Sequence, residues 1–133
     1  AIVSLDIRHM NAAIRYDALA SLRAQAEVIA ERERVSLDWN VITDTESIPC
    51  APEIIEAFTD SVQSLGLPLV TLASGAGHDG VMVSRIAPIG MIFVRCKDGI
   101  SHNPAEYCSP EDAEIAANVM LGAVLSLSRI LNA

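Results

Sequence analysis

The chain of 133 residues carries 17 acidic and 9 basic side chains, a formal net charge of −8, and 51% of its residues are hydrophobic. That is about one domain's worth of chain with enough apolar content for a core, so a globular, soluble protein is expected. So few Lys and Arg exclude a phosphate-backbone binder and disfavour an anionic membrane surface.

The opening "AIVSLDIRH" alternates Ile2, Ser4, Asp6 and Arg8 against Val3, Leu5 and Ile7, the period-two pattern of a half-buried strand over residues 2–8. The chain lacks an initiator Met and begins inside this strand, from which a fragment is expected. No basic start followed by an apolar run opens it, so a cytoplasmic location is the default expectation. A helix is predicted over residues 12–34, with Asn11 as its cap and Ile14, Ala18, Leu22, Ala26 and Ile29 as its apolar stripe. "VSLDWNVI", 35–42, alternates again as a second strand. The first 44 residues therefore predict a β-α-β unit, followed by the polar connection "TDTESIPC".

From residue 45 the texture changes. Pro52 suits the first turn of a helix running to Leu65, with Ile54, Ile55, Phe58, Val62 and Leu65 buried and Gly66 as its stop. "LPLVTLA" is predicted as a short strand, "SGAGHDG" as a glycine-rich turn and "VMVSRIA" as a short helix. "IGMIFV" has the composition of a strand covered on both faces. After the polar loop "CKDGISHNPAEYCSPED", Ser109, Pro110 and the acidic residues behind them start a last helix. Its stripe is Ile115, Val119, Ala123, Leu127 and Ile130, broadened by Met120, Leu121, Val124 and Leu125 into a surface that wants two partners. Asn118, Ser126, Ser128 and Arg129 interrupt this stretch short of the ~20 clean residues of a membrane span. Cys50, Cys96 and Cys108 form no CxxC pair and are expected as free thiols.

Three places carry residue types suited to chemistry. Arg8 lies near a strand end on the face of Asp6; its planar fork can grip a carboxylate by two parallel hydrogen bonds, or simply form a surface ion pair. "SGAGHDG", 74–80, can bring backbone N–H groups close to an anion, or be a plain tight turn with no phosphate-loop Lys behind it. His102 can offer an imidazole to a divalent metal with Asp98 or Glu106 supporting it, or be an ordinary loop histidine. His9 and His78 sit in unrelated segments without HxxxH or HExxH spacing, so no complete metal site is present.

Taken in order, "SLDIRH", "SGAGHD" and "GMIFVRCKDGISHNPAEYCSPED" resemble the C-terminal third of the hydantoinase/carbamoylase family of amidases, within the aminoacylase and carboxypeptidase-like metallopeptidase group. The resemblance implies an α/β fold. Residues 1–44 would be the second half of an inserted dimerisation domain, and residues 45–133 the C-terminal portion of the catalytic domain. It implies a homodimer acting on a small carbamoyl or ureido substrate, such as an N-carbamoyl-L-amino acid or allantoate, with no nucleic-acid or membrane partner. Two divalent metals (zinc, manganese, cobalt or nickel) complete each site. By motif match His102 is a metal ligand, Arg8 binds the substrate carboxylate, Gly75 and Ala76 contact that carboxylate through the backbone, and His78 and Asp79 support the site. Gly80 stands where the family more commonly has Ala, and "HMN" follows Arg8 where a proline-containing turn is commoner. The remaining metal ligands, the Glu general base and the asparagine that partners the arginine are not matched in this chain, so no catalytic residue is assigned and the chain alone is expected to be inactive. The competing expectation is a non-catalytic dimerisation module of the same descent. A branch acting on peptide or N-acyl bonds is disfavoured by the wording "GISHNPAEY".

Overall fold

The computed structural model describes residues 1–131. The chain forms two compact units, one built from Ala1–Ile48 with Ala73–Gly77, the other from Pro49–Leu72 with His78 onward.

The first unit is organised by α1, Ala12–Glu33. Asn11 is extended (φ −91°, ψ 115°), and its Oδ1 accepts from the N–H of Ala13 at 2.9 Å and of Ile14 at 3.4 Å. These are two of the donors that a helix start leaves without partners, and such a cap stabilises by about 1 kcal/mol. At the other end Arg34 turns left-handed (φ 58°), its N–H donating to Glu31 O and that of Val35 to Ala30 O. This is a Schellman ending with arginine in the place usually taken by glycine. Beyond the helix, Arg15 pairs with Asp44 at 2.6 Å, Tyr16 Oη donates to the same carboxylate at 3.3 Å, and Ser47 Oγ donates to Met10 O at 2.6 Å. The polar connection is thereby tied to the start of α1.

The expected stripe of α1 is met in part. The less exposed positions are Ala12, Arg15, Ala18, Leu19, Ala26 and Ala30, so Ala18 and Ala26 of the stripe are covered, while Ile14, Leu22 and Ile29 face solvent. Seven alanines blur the contrast between the faces, so the contacts made by the surrounding segments decide which one is covered.

In the second unit α2, Pro52–Ser64, crosses α4, Pro110–Leu131. Pro52 occupies the first turn, and Gly66 (φ 67°) ends α2 as Arg34 ends α1, with Gly66 N–H on Gln63 O and Leu67 N–H on Val62 O. The contact is made by small residues. Ala57, Ser61, Val119 and Ala123 are buried, Ala123 to 1% exposure, and Ser61 Oγ donates to Val119 O at 2.9 Å. The backbones come so near that a Cβ on Gly122 would stand 2.3 Å from Ser61 Oγ. Along the start of α2 runs the segment 89–92: Ala51 N–H donates to Ile89 O at 2.7 Å, and a Cβ on Gly90 would meet Ile54 Cγ2 at 2.2 Å. Ile54, Ile55, Phe58 and Val62 are half-buried as expected, whereas Leu65 is exposed.

At the start of α4, Ser109 Oγ accepts from Asp112 N–H and donates to Asp112 Oδ2, both at 3.0 Å; the N-cap signalled by "SPED" is formed, with the acidic side chain bound to the serine hydroxyl where a full capping box would bind its backbone N–H. Ile115 and Leu127 are half-buried beside Val119 and Ala123, and the side chain of Ile130 lies outside the described residues. Met120, Leu121, Val124 and Leu125 form an exposed second face. The helix α3, Gly80–Val83, is shorter than the 81–87 expected and gives way to turns.

The expected strands are the main correction. Among the described residues no strand is formed, and 2–8, 35–42, 67–73 and 89–94 run as irregular segments without a hydrogen-bonded ladder. Alternation shows which face of a segment is apolar; a strand also needs a neighbour's row of donors and acceptors in register. Ile2, Val3 and Ile42 are accordingly almost fully exposed. No described helix is long and apolar enough to cross a membrane.

Candidate functional site

In the first unit, Arg8 meets the glycine turn. Its Nε donates to Asp6 Oδ1 at 2.9 Å and Oδ2 at 3.1 Å, Nη2 donates to Asp6 Oδ2 at 2.6 Å, and Nη1 donates to the carbonyl of Gly75. The period-two spacing of Asp6 and Arg8 puts both side chains on one face, so the ion pair is local, while the turn arrives from 67 residues away. The Arg8 hydrogen bond holds the Asp6 carboxyl below its ordinary range against desolvation, with a lesser contribution from the arginine's charge; the same bond raises Arg8. Of the five N–H donors of a guanidinium, this leaves one on each terminal nitrogen, so the group can still take a further carboxylate. Within the turn, Ser74 Oγ lies 3.4 Å from both the N–H and the carbonyl of Ala76. A Cβ at Gly75 would meet nothing within 4 Å, so packing among the described residues does not demand glycine there.

The second unit holds His78, Asp79 and His102. His78 Nδ1 accepts the N–H of Gly80 at 2.9 Å, which leaves Nε2 as the ring's free nitrogen, and its carbonyl accepts from Val81 at 2.9 Å. Asp79 sits at the start of α3 without a side-chain capping bond. His102 lies in a loop closed by Lys97 N–H on Tyr107 O at 2.8 Å. Three residues of this loop, Asp98 (φ 56°), Gly99 (φ 66°) and His102 (φ 55°), are left-handed. For a non-glycine residue that conformation costs about 1–2 kcal/mol. At His102 it is held by a hydrogen bond from its own N–H to Glu106 Oε2 at 2.8 Å. The imidazole is exposed and has no hydrogen-bond partner among the described residues. Glu106 thus acts on the backbone of His102, not on its ring as expected, and among the described residues Asp98 forms no hydrogen bond with that ring.

One further cleft, of about 520 Å³, opens at the base of the loop between Arg95, Cys96, Lys97, Tyr107, Ser109, Glu111 and Asp112. Two of its charges satisfy each other, because Arg95 pairs with Asp112. Beside it burial pushes the Cys108 thiol up, with smaller contributions from Cys96 and Asp112, which disfavours a reactive thiolate. All three cysteines are free. Among the described residues no group of three or more His, Cys, Asp or Glu is placed to hold a metal ion.

Arg8 and Gly75 are therefore brought together, with Ala76 adjacent, and His102 is presented singly. The surface ion pair weighed for Arg8 is formed with Asp6, on the face that the two-residue spacing signals. Sequence reasoning missed the close approaches at Gly90 and Gly122, which glycine inside an apolar run signals.

Residues 5–126 match the family model described as peptidase family M20/M25/M40, and the chain belongs to that family. Among curated relatives, it is 37% identical to an N-carbamoyl-L-amino acid amidohydrolase of Geobacillus stearothermophilus, over 94% of this chain and 31% of the relative. It is 32% identical to an allantoate amidohydrolase of Escherichia coli K12, over 77% of this chain and 25% of the relative. Among solved structures, an amidase of the hydantoinase/carbamoylase family from Burkholderia multivorans superposes with a TM-score of 0.84 at 35% identity, over 90% of this chain and 29% of that one. The motif-level resemblance to these amidases is borne out. The chain spans less than a third of the length of each.

Proposed function

We propose that this chain is part of a metal-dependent amidohydrolase that cleaves carbamoyl or ureido C–N bonds in N-carbamoyl-L-amino acids or allantoate-like substrates. The observation that carries the proposal is the meeting of Arg8 with Gly75: two motif residues far apart in sequence converge on one spot suited to a carboxylate. Arg8 anchors the substrate carboxylate through its remaining donors, with Asp6 holding the guanidinium in place. Gly75 and Ala76 offer backbone to the same group, and the open space over Gly75 leaves room for it. Fixing the carboxylate orients the carbonyl to be attacked.

His102 fits as a single metal ligand, because its exposed imidazole is not taken by any described partner. A divalent metal held there, zinc, manganese, cobalt or nickel and two to a complete site, supplies Lewis-acid activation of the carbonyl and of water. The other ligands and the general base would come from parts of the longer relatives that this chain does not span, so the chain alone is inactive. His78 and Asp79 support the site from the start of α3. Residues 1–44 would belong to a dimerisation domain and 45–133 to an α/β catalytic domain, with the irregular segments paired as strands in the complete homodimer. A small-molecule substrate and a cytoplasmic setting complete the proposal; the free cysteines suit a reducing compartment.

The exposed face of α4 favours a second reading, a non-catalytic pairing module. Ammonia release from N-carbamoyl-L-amino acids and from allantoate, with zinc or manganese supplied, decides between them. The complete enzyme is expected to turn over and the 133-residue chain is not. Arg8→Ala in the complete enzyme should raise KM by about 10- to 100-fold, the weight of a lost charge-assisted contact, with kcat less affected. An unchanged KM would remove Arg8 from the anchor role, and a complete protein that releases no ammonia would favour the pairing module.

A further inference from the structure

We propose that Glu106 is a positioning residue for His102, acting through the backbone. The inference rests on the reading of His102 as a metal ligand and adds how that ligand is aimed.

A metal-binding histidine is usually oriented by a hydrogen bond to its second ring nitrogen. Here the ring has no such partner among the described residues, yet the residue is not free to turn. Its φ of 55° directs Cα–Cβ along a path that an ordinary extended or helical loop residue would not take. The local turn that follows holds this conformation. Asn103 O accepts the N–H of Glu106 at 2.8 Å, and Asn103 Oδ1 accepts that of Ala105 at 2.9 Å. Pro104, between them, has its φ set by the ring. The turn folds Glu106 back so that its carboxylate receives the N–H of His102 at 2.8 Å. That bond is charge-assisted and therefore among the stronger ones available to a backbone donor in a loop. The arrangement is reciprocal: Glu106 is placed by the residue after His102, and it then fixes His102. The ring, unencumbered, stays available to a ligand.

A glutamate that merely stabilised the loop would affect melting and little else. A positioning residue must affect metal affinity, and it should be replaceable by a side chain that keeps the acceptor. The test uses the complete metal-loaded enzyme in four forms: wild type, Glu106→Ala, Glu106→Gln and His102→Ala. Affinity for zinc is measured by competition with a chromophoric chelator, alongside KM, kcat and thermal melting. Glu106→Ala is expected to weaken zinc binding about 10- to 100-fold, as losses behind a metal ligand do, and to lower kcat more than it raises KM. Glu106→Gln, whose amide oxygen can accept the same N–H, should recover most of both. In the nuclear magnetic resonance spectrum, the strong intraresidue contact between amide proton and Hα that marks a left-handed residue should weaken at position 102 in Glu106→Ala alone. Zinc affinity unchanged in Glu106→Ala, with His102→Ala losing the metal, would overturn the positioning role while leaving His102 a ligand. Full zinc affinity in His102→Ala would overturn both. A Glu106→Gln variant as impaired as Glu106→Ala would also sink the proposal, because the acceptor would then not be what matters.

Discussion

Arg8 and Asp6 form a three-point clamp, Nε bridging both carboxylate oxygens and Nη2 adding a third bond at 2.6 Å, although more than half of each side chain is in water. Because the bond favours the charged carboxylate, the folded-state value of Asp6 lies below its unfolded one. The sign follows from linkage. The contribution is fully present above the unfolded carboxylate range and is lost as pH falls through the depressed folded value. An acid titration followed at the Asp6 carboxyl carbon should therefore have its midpoint below the ordinary aspartate range. In Arg8→Gln the midpoint should move back up, and a midpoint indifferent to that substitution would mean that the clamp does not persist in solution.

The crossing of α2 and α4 makes a sharper prediction about stability. Alanine is the better helix former, so Gly122→Ala gains up to about 1 kcal/mol from propensity alone. Its Cβ, however, would fall 2.3 Å from Ser61 Oγ and 3.2 Å from Ser61 Cβ. The hydroxyl can swing away only by giving up its bond to Val119 O, worth about 1 kcal/mol, and the remaining crowding costs about 1–3 kcal/mol. The net expectation is destabilisation by about 1–3 kcal/mol in urea unfolding. In a Ser61→Ala background the same substitution should cost less, and strictly additive effects would show that the two residues do not touch.

The end of α1 makes a prediction of opposite sign. Arg34 holds a left-handed conformation suited to glycine, and its side chain has no ion pair or hydrogen bond among the described residues. Arg34→Gly removes strain of about 1–2 kcal/mol and returns part of it through the greater freedom of an unfolded glycine. A gain of about 0.5–1 kcal/mol is expected, a rise in Tm of about 2–4 °C. A fall in Tm would mean that the Schellman ending is not formed.

What was legible in the sequence divides along the range of the interactions. Asn11, Pro52, Gly66 and the Ser109–Asp112 cap act within a few residues of themselves, and each helix start or stop they signal is present. The buried stripe of α4 was legible too, because Val119 and Ala123 stand among larger apolar residues at helical spacing. The face of α1 was legible only in part, at Ala18 and Ala26, since its alanines are nearly neutral and Arg15 is drawn inward by Asp44. Strand pairing is a property of two segments, and alternation in 2–8 or 35–42 specifies only one of them. At the site, the candidates Arg8, Gly75 and His102 were identified by motif, but spacing says nothing about a contact across 67 residues. Nor does histidine as a residue type announce a left-handed φ, which here depends on a carboxylate four residues on.

The glycine at position 75 separates folding from function. Its φ is not in the left-handed region and a Cβ there would meet open space, so Gly75→Ala should leave the melting temperature unchanged within about 1 °C, as for a surface substitution away from any special feature. If a substrate carboxylate settles against the turn beside Arg8, the same methyl group stands where that ligand must come close. In the complete enzyme Gly75→Ala should then raise KM for an N-carbamoyl-L-amino acid about 10-fold or more, through displacement of a charge-assisted contact, and Gly75→Val should raise it further. Gly77, also open on its Cβ side but not the residue whose carbonyl Arg8 binds, provides the control: Gly77→Ala should move KM much less. Equal effects at the two positions would point to altered flexibility of the turn in place of a ligand over Gly75. Unchanged KM at both would place the carboxylate elsewhere and leave Arg8 as the partner of Asp6 alone.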